Sequence, residues 1–278
     1  MKIKHLLCFI ALCLFFTPGK AQQLSVMTLR NGATVYIWED KSKPDVFGMI
    51  AFKVGSVDDP EQYTGLAHYL EHVMFKGTQT IDALDWEKEK PIYEKIIAKY
   101  DERAALSDPA AREAVDKEIN DLTREAAQYA AGNEFSLLVD HMGGQGLNAS
   151  TGYDQTEYHN SFPPSQLEKW LEIYSERLID PVFRGFQTEL EAVYEEYNMY
   201  NDDRGSRMRE FIYEQAFGDH PYARPIIGLP EHLKNPQLSK LIDFYNTWYG
   251  PQNMSIILVG NIDAKEAIPM IRDKFERG

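Results

Sequence analysis

His68, Glu71 and His72 follow the order His-x-x-Glu-His inside the stretch GLAHYLEHVMF, residues 65–75. On a helix the three share one face, while Leu66, Tyr69, Leu70 and Val73 gather on the other. Two imidazoles four residues apart on one helix face can accept a single tetrahedral zinc, and a catalytic zinc keeps one position for water. A carboxylate on the same face can take a proton from that water as the metal lowers its pKa toward neutrality. Glu71 stands where that carboxylate is needed. The bland alternative is a surface helix that happens to carry two histidines, and a third ligand is required to displace it.

Candidates for that ligand lie in TELEAVYEEYNMYNDD, residues 188–203, where four glutamates fall on an expected helix. Leu190, Val193, Tyr194, Tyr197 and Tyr200 define its apolar face. Glu189 and Glu196 flank that face, and Glu191 and Glu195 point away from it. One of the inward pair can bind metal while the other orients a ligand. Periodicity alone leaves open the reading in which all four are solvated charges.

The elements that must position these residues alternate between strand and helix. Residues 24–29 and 34–38 are β-prone runs joined by Arg30-Asn31-Gly32-Ala33, a hairpin signal, and 46–54 is a third strand. Asp58-Asp59-Pro60-Glu61 supplies caps and first-turn acids for a helix running into the histidine motif. Residues 85–131, rich in Glu, Lys and Ala and broken at Ser107-Asp108-Pro109, are expected to form a helical hairpin that projects from the domain with a solvated charged face. A Gly-rich turn at 143–146 leads into a strand over 147–158. Helices follow at 165–179, 187–200 and 204–217, the first two separated by Pro181. A strand at 253–260 precedes a last helix capped by Asp263. The expected fold is α+β: a two-layer sandwich with a mostly antiparallel mixed sheet covered by helices, plus the inserted hairpin.

Composition narrows the chemistry. Lys2 and Lys4 precede an apolar run from Leu6 to Phe16, and small residues at the end of 1–21 are placed for cleavage, the pattern of a secretory signal peptide. The run is too short to span a bilayer. Export to the periplasm or the extracellular space is therefore expected. Both cysteines, Cys8 and Cys13, lie in that segment, so any metal in residues 22–278 must be held by His, Asp and Glu. A closed structural zinc site, which wants four protein ligands and is commonly built with cysteine, is a weak reading. Removing Lys2, Lys4 and Lys20 takes the formal charge from −14 to −17, which argues against nucleic acid as a partner.

The motif is the inverzincin pattern, and the chain resembles the pitrilysin/insulinase family of zinc peptidases, including bacterial members similar to the mitochondrial processing peptidase beta subunit. His68 to His72, followed by Val73-Met74-Phe75-Lys76-Gly77-Thr78, is similar to the family's zinc helix and its exit. Glu189 and Glu196, followed by Tyr197-Asn198-Met199-Tyr200, are similar to its distal glutamate helix. Leu147-Asn148-Ala149-Ser150-Thr151 resembles the edge strand that takes substrate backbone as an added strand. The stretches from His220 to Gly228 and from Tyr249 to Met254 resemble the approach to the domain's last strand.

The resemblance implies one zinc per chain held by His68, His72 and Glu196, with Glu71 as the catalytic base. It further implies that Glu189 supports the site and that Asn148 and Ala149 align a peptide. His72 and Glu196 stand 124 positions apart, an excess over the family's usual spacing of about 47 residues that the hairpin at 85–131 accounts for. Gln145 replaces an expected glycine before the edge strand. The implied activity is endopeptidase action on peptides or unfolded segments. Residues 22–278 are expected to form one N-terminal-type domain that works with a homologous second domain or subunit, which closes a chamber and supplies an Arg and a Tyr to hold the substrate. The alternative is a non-catalytic partner subunit or scaffold of the same fold that binds peptide or completes another subunit's chamber.

Overall fold

The expected Asn-Gly hairpin opens the sheet in the computed structural model, which describes residues 23–276; the signal segment and both cysteines lie outside the described residues. Strands β1 (Gln23–Thr28) and β2 (Thr34–Glu39) pair antiparallel around a turn in which Gly32 takes φ +99°, a conformation that favours glycine. With β3 (Val46–Phe52), β4 (Gln145–Thr151), β5 (Thr156–Phe162) and β6 (Met254–Gly260) they form one six-stranded sheet in the order β1-β2-β6-β3-β5-β4. Only β2 and β6 run parallel, so the sheet is mixed and mostly antiparallel. The single strand expected over 147–158 is instead β4, a turn and β5: Gly152 N–H donates to the Gln155 carbonyl at 2.7 Å, and Thr151 pairs with Thr156. The buried positions change phase across the turn, from Ala149 on β4 to Thr156 and Tyr158 on β5.

The helices are α1 (Leu66–Val73), α2 (Trp86–Ala105), α3 (Pro109–Ala126), α4 (Glu134–His141), α5 (Leu167–Ile179), α6 (Phe186–Asp202), α7 (Arg204–Phe217), the one-turn α8 (Pro230–Leu233), α9 (Leu238–Trp248) and α10 (Ala264–Phe275). Alternate residues of β3 (Val46, Gly48, Ile50, Phe52) and β5 (Thr156, Tyr158, Asn160, Phe162) are buried beneath them. Gly48 is needed there, because a Cβ would lie 2.5 Å from the Trp170 ring. Trp170 and Tyr174 of α5 both donate to Asn160 Oδ1, at 2.8 and 2.7 Å, so the buried amide oxygen is satisfied. Tyr36, Trp38 and Val259 are partly exposed on the opposite face. The expected α+β two-layer sandwich is the fold observed.

Two local expectations need correction. The histidine helix does not start near Asp58: residues Ser56–Asp58 make one 3-10 turn, and α1 begins at Leu66 behind Gly65, which sits at φ +88°. Asp59 still caps it from a distance, accepting the N–H groups of Gly65 at 2.7 Å and Ala67 at 2.9 Å.

The hairpin of α2 and α3 forms with Asp108 as the cap of α3, but it docks on the body rather than projecting. Ile92, Ile96 and Tyr100 are buried, and the Tyr100 ring meets Phe186 edge-on at 4.8 Å. Its charges are not all solvated either. Glu89 is 1% exposed and forms a bidentate pair with Arg184, at 2.6 and 2.8 Å. The sequence pattern exposed the seam between the two helices, whereas the second buried face depends on α6, which is distant in sequence.

Candidate metal centre

Helix α1 presents His68, Glu71 and His72, and α6 lies across from it. Both helices are held in place by apolar residues: Leu66, Leu70 and Val73 of α1 and Leu190 and Val193 of α6 are buried. Tyr69 of α1 hydrogen-bonds the Phe186 carbonyl at the start of α6. Gly65 and Gly228 touch backbone to backbone, and a Cβ on Gly228 would lie 2.7 Å from the Gly65 Cα. The segment ending at Gly228 therefore braces the start of the histidine helix.

His68 Nε2 lies 3.6 Å and His72 Nε2 3.5 Å from the same oxygen, Glu196 Oε2. These gaps exceed the roughly 2.7–3.2 Å of N–H···O hydrogen bonds. They are close to the ~3.3 Å edge of a tetrahedron around zinc with bonds of about 2.0–2.1 Å. Among the described residues, His68, His72 and Glu196 are the one group whose donors converge for a metal, all within 4.8 Å of one another. The donor set, two imidazoles and a carboxylate, suits zinc.

The surroundings complete the arrangement. His72 turns its other nitrogen, Nδ1, toward Glu189 Oε2 at 3.5 Å, and Lys76 Nζ holds Glu189 Oε1 at 2.5 Å. Tyr200 OH donates to Glu196 Oε1 at 2.9 Å. Thr151 Oγ1, on β4, donates to Glu71 Oε2 at 2.5 Å.

Burial and the neighbouring His72 push His68 down to about 4. Burial also acts against charging His72, but the carboxylates of Glu189 and Glu196 facing its two nitrogens, with the charge of Glu71, outweigh it and lift His72 to about 9. The facing His72 imidazole, whose effect outweighs burial, draws Glu196 down to about 2. Burial raises Glu71 above the ordinary carboxylate value, with the Thr151 bond opposing.

A groove of about 480 Å³ runs over this cluster. One wall is β4, the last strand of the sheet, through Ala149, Ser150 and Thr151; the other is α7. Ala149 thus meets the cluster, whereas Asn148 lies on the same edge strand with its side chain exposed and outside the groove lining. A register irregularity between Gln145 and Asn148 falls where the substituted glycine position was noted.

The sequence profile described as Insulinase (Peptidase family M16) matches residues 34–90 and 120–229. The chain belongs to this peptidase family. A second profile of the family, described as Peptidase M16 inactive domain, matches residues 237–277. The M16 chain is 26% identical over 224 residues to an uncharacterized zinc protease of Mycobacterium leprae, spanning 80% of this chain and 39% of that protein. It is 25% identical over 268 residues to the probable zinc protease PqqL of Escherichia coli, spanning 92% of this chain and 23% of PqqL. The crystal structure of the first half of the periplasmic protease PqqL superposes with TM-score 0.68 at 25% identity, covering 92% of this chain and 47% of that one. The chain thus spans less than half the length of these relatives. The profile leaves residues 91–119 unmatched, which is most of α2 and α3.

Three partners of the M16 cluster were not identified from sequence. Thr151 was seen only as part of the edge strand, Lys76 only as part of the helix exit, and Tyr200 only as an apolar position. Each acts across elements, so the one available signal was its place inside a motif already noted.

Proposed function

We propose that the chain is the catalytic domain of a zinc endopeptidase that hydrolyses peptides or unfolded segments. The observation that carries this reading is the convergence of His68 and His72 on one oxygen of Glu196, with Glu71 on the same helix face and tied to an edge strand. His68, His72 and Glu196 would hold one zinc per chain, and Glu189, braced by Lys76, would fix the orientation of His72. Zinc, when bound, supplies polarisation of the attacked carbonyl and of a water. Glu71 takes the proton of the attacking water and passes it to the leaving amide nitrogen. Its burial suits that task, because a carboxyl raised from its ordinary value sits closer to the working pH. Thr151 orients the Glu71 carboxyl toward the groove. A peptide would lie along the free edge of β4 as an added strand, with Asn148 and Ala149 in its register.

The same reading takes residues 1–21 as an export signal, in keeping with the description of PqqL as periplasmic. No helix among the described residues is long and apolar enough to cross a membrane. Residues 22–278 act as one domain carrying an inserted hairpin, and a homologous second domain or subunit closes the chamber. Metal analysis of the purified chain, together with hydrolysis of a fluorogenic peptide by the chain alone and mixed with a candidate C-terminal half, tests the proposal. One zinc per chain and hydrolysis in at least one mixture are expected. Zinc binding without hydrolysis in either would favour the non-catalytic partner instead.

A further inference from the structure

The wall of the groove opposite β4 carries a charge that the proposed chemistry does not use. Arg209 of α7 borders the groove between two residues that fix the direction of this helix face. Ser206, one turn before it, is 8% exposed, and Tyr213, one turn after it, stacks on Tyr153 at 5.4 Å and 12°. Ser206, Arg209 and Tyr213 therefore form one row facing the groove. Among the described residues the Arg209 guanidinium makes one long hydrogen bond, from Nη2 to Ser206 Oγ at 3.4 Å. Asp203, the acid at the start of the helix, is engaged as its cap, accepting Ser206 N–H at 2.7 Å. The Arg209 charge reaches Asp203 and helps to lower its carboxyl, but among the described residues no carboxylate forms an ion pair with this planar fork of donors, which faces the cavity of a protein whose net charge is −14.

We infer that Arg209 is a specificity-determining residue, selecting peptides that present a carboxylate on the side of the scissile bond lying against α7. The inference rests on the peptidase reading above. A carboxylate accepts two parallel N–H bonds from guanidinium, whereas a neutral side chain of the same shape leaves that fork half used. The carboxylate has two sources, an acidic side chain within the peptide or the terminal carboxylate of its end. Glu210, one position further round α7, also borders the groove, so reversing the charge at 209 would leave a purely acidic wall.

The test uses the zinc-loaded Glu71→Gln chain and fluorescently labelled peptides read by anisotropy. One peptide carries an internal glutamate and an amidated end, a second replaces the glutamate with glutamine, a third replaces it with lysine, and a fourth is the glutamine peptide with a free terminal carboxylate. A glutamate peptide that binds about ten-fold tighter than its glutamine counterpart assigns the subsite to a side chain. The same gain in the fourth peptide alone assigns it to a chain end. In Arg209→Met the preference disappears, and in Arg209→Glu it turns toward lysine. Equal affinity for all four peptides, or a carboxylate preference that survives Arg209→Met, overturns the inference while the peptidase reading stands. Failure of every peptide to bind, with no hydrolysis by the unsubstituted zinc-loaded chain either alone or mixed with the candidate C-terminal half, overturns both.

Discussion

Helices α1 and α6 and the hairpin α2–α3 are both helix pairs rich in glutamate, and their charges meet opposite fates. In the first pair the acids and imidazoles face one another across a half-buried gap, and His68, His72 and Glu196 converge. In the second the charges mostly pair along the surface, as Lys99 does with Glu102 at 2.8 Å and Glu118 at 2.6 Å. Surface pairs of this kind contribute little, whereas convergent buried groups shift pKa values and make a site. Residue type does not separate the two regions. Direction does, since a charge becomes chemically useful when a second element aims another at it.

The sharpest way to break the comparison is Glu196→Ala, which should lose the metal and leave hydrolysis at background, as measured by metal analysis and a fluorogenic assay. Glu71→Gln should keep one zinc per chain and lower turnover by about 10²–10⁴; full activity in that variant would remove Glu71 from the chemistry. In the hairpin, the one buried pair should behave unlike its neighbours. Glu89→Gln removes the buried charge that pairs with Arg184, leaving the guanidinium its backbone carbonyl partners alone, and should cost about 3–5 kcal/mol in chemical denaturation, while Lys99→Met should leave the denaturation midpoint nearly unchanged. Similar costs for both would show that burial does not set them apart. Glu189→Gln should keep the zinc but weaken its binding by about 10- to 100-fold in competition with a chelator.

A further expected effect is on pH dependence. With His72 held at about 9, the metal-free chain carries a proton there at neutral pH, while His68, at about 4, carries none and Glu196, at about 2, is ionised. Zinc must displace that one proton, so affinity rises with pH between 7 and 9 by up to about ten-fold per unit. Calorimetry in buffers of different ionisation enthalpy should show about one proton released per zinc at pH 7; none released would refute the assignment.

Metal-free stability follows a different course. His72, raised above its ordinary 6.5, contributes below that pH and loses the contribution as pH rises through 9; His68, depressed below 6.5, loses its contribution as pH falls toward 4. Between them the two imidazoles favour the metal-free fold near pH 6.5.

Much of this was legible in the residues. The period of the apolar positions located α6, and the bounds of α7 fall where 204–217 was expected. Helix faces alone selected Glu189 and Glu196 over Glu191 and Glu195. What stayed hidden depends on long-range packing. The docked face of the hairpin needs Phe186, and Thr151 reaches Glu71 only because β4 lies beside α1. The two-turn α4 carries too few turns for its period to stand out, whereas α9 buries Leu238, Leu241 and Phe244 at helical spacing and was legible though not read.

The place of β6 has a consequence for how the chain acquires its shape. It is the last strand in sequence, residues 254–260, yet in the sheet it lies between β2 and β3. Until it arrives, β1–β2 is a separate ribbon, and β3, β5 and β4 form a piece with no link to it through the sheet. Such non-local closure is slow, because loop entropy is lost before the contacts that repay it are made. The ligands at 68, 72 and 196 all precede β6, so the scaffold around them stays open to rearrangement until nearly the whole domain is present. Refolding should therefore be slow and single-phased in metal binding, with zinc captured only after the central strand is seated.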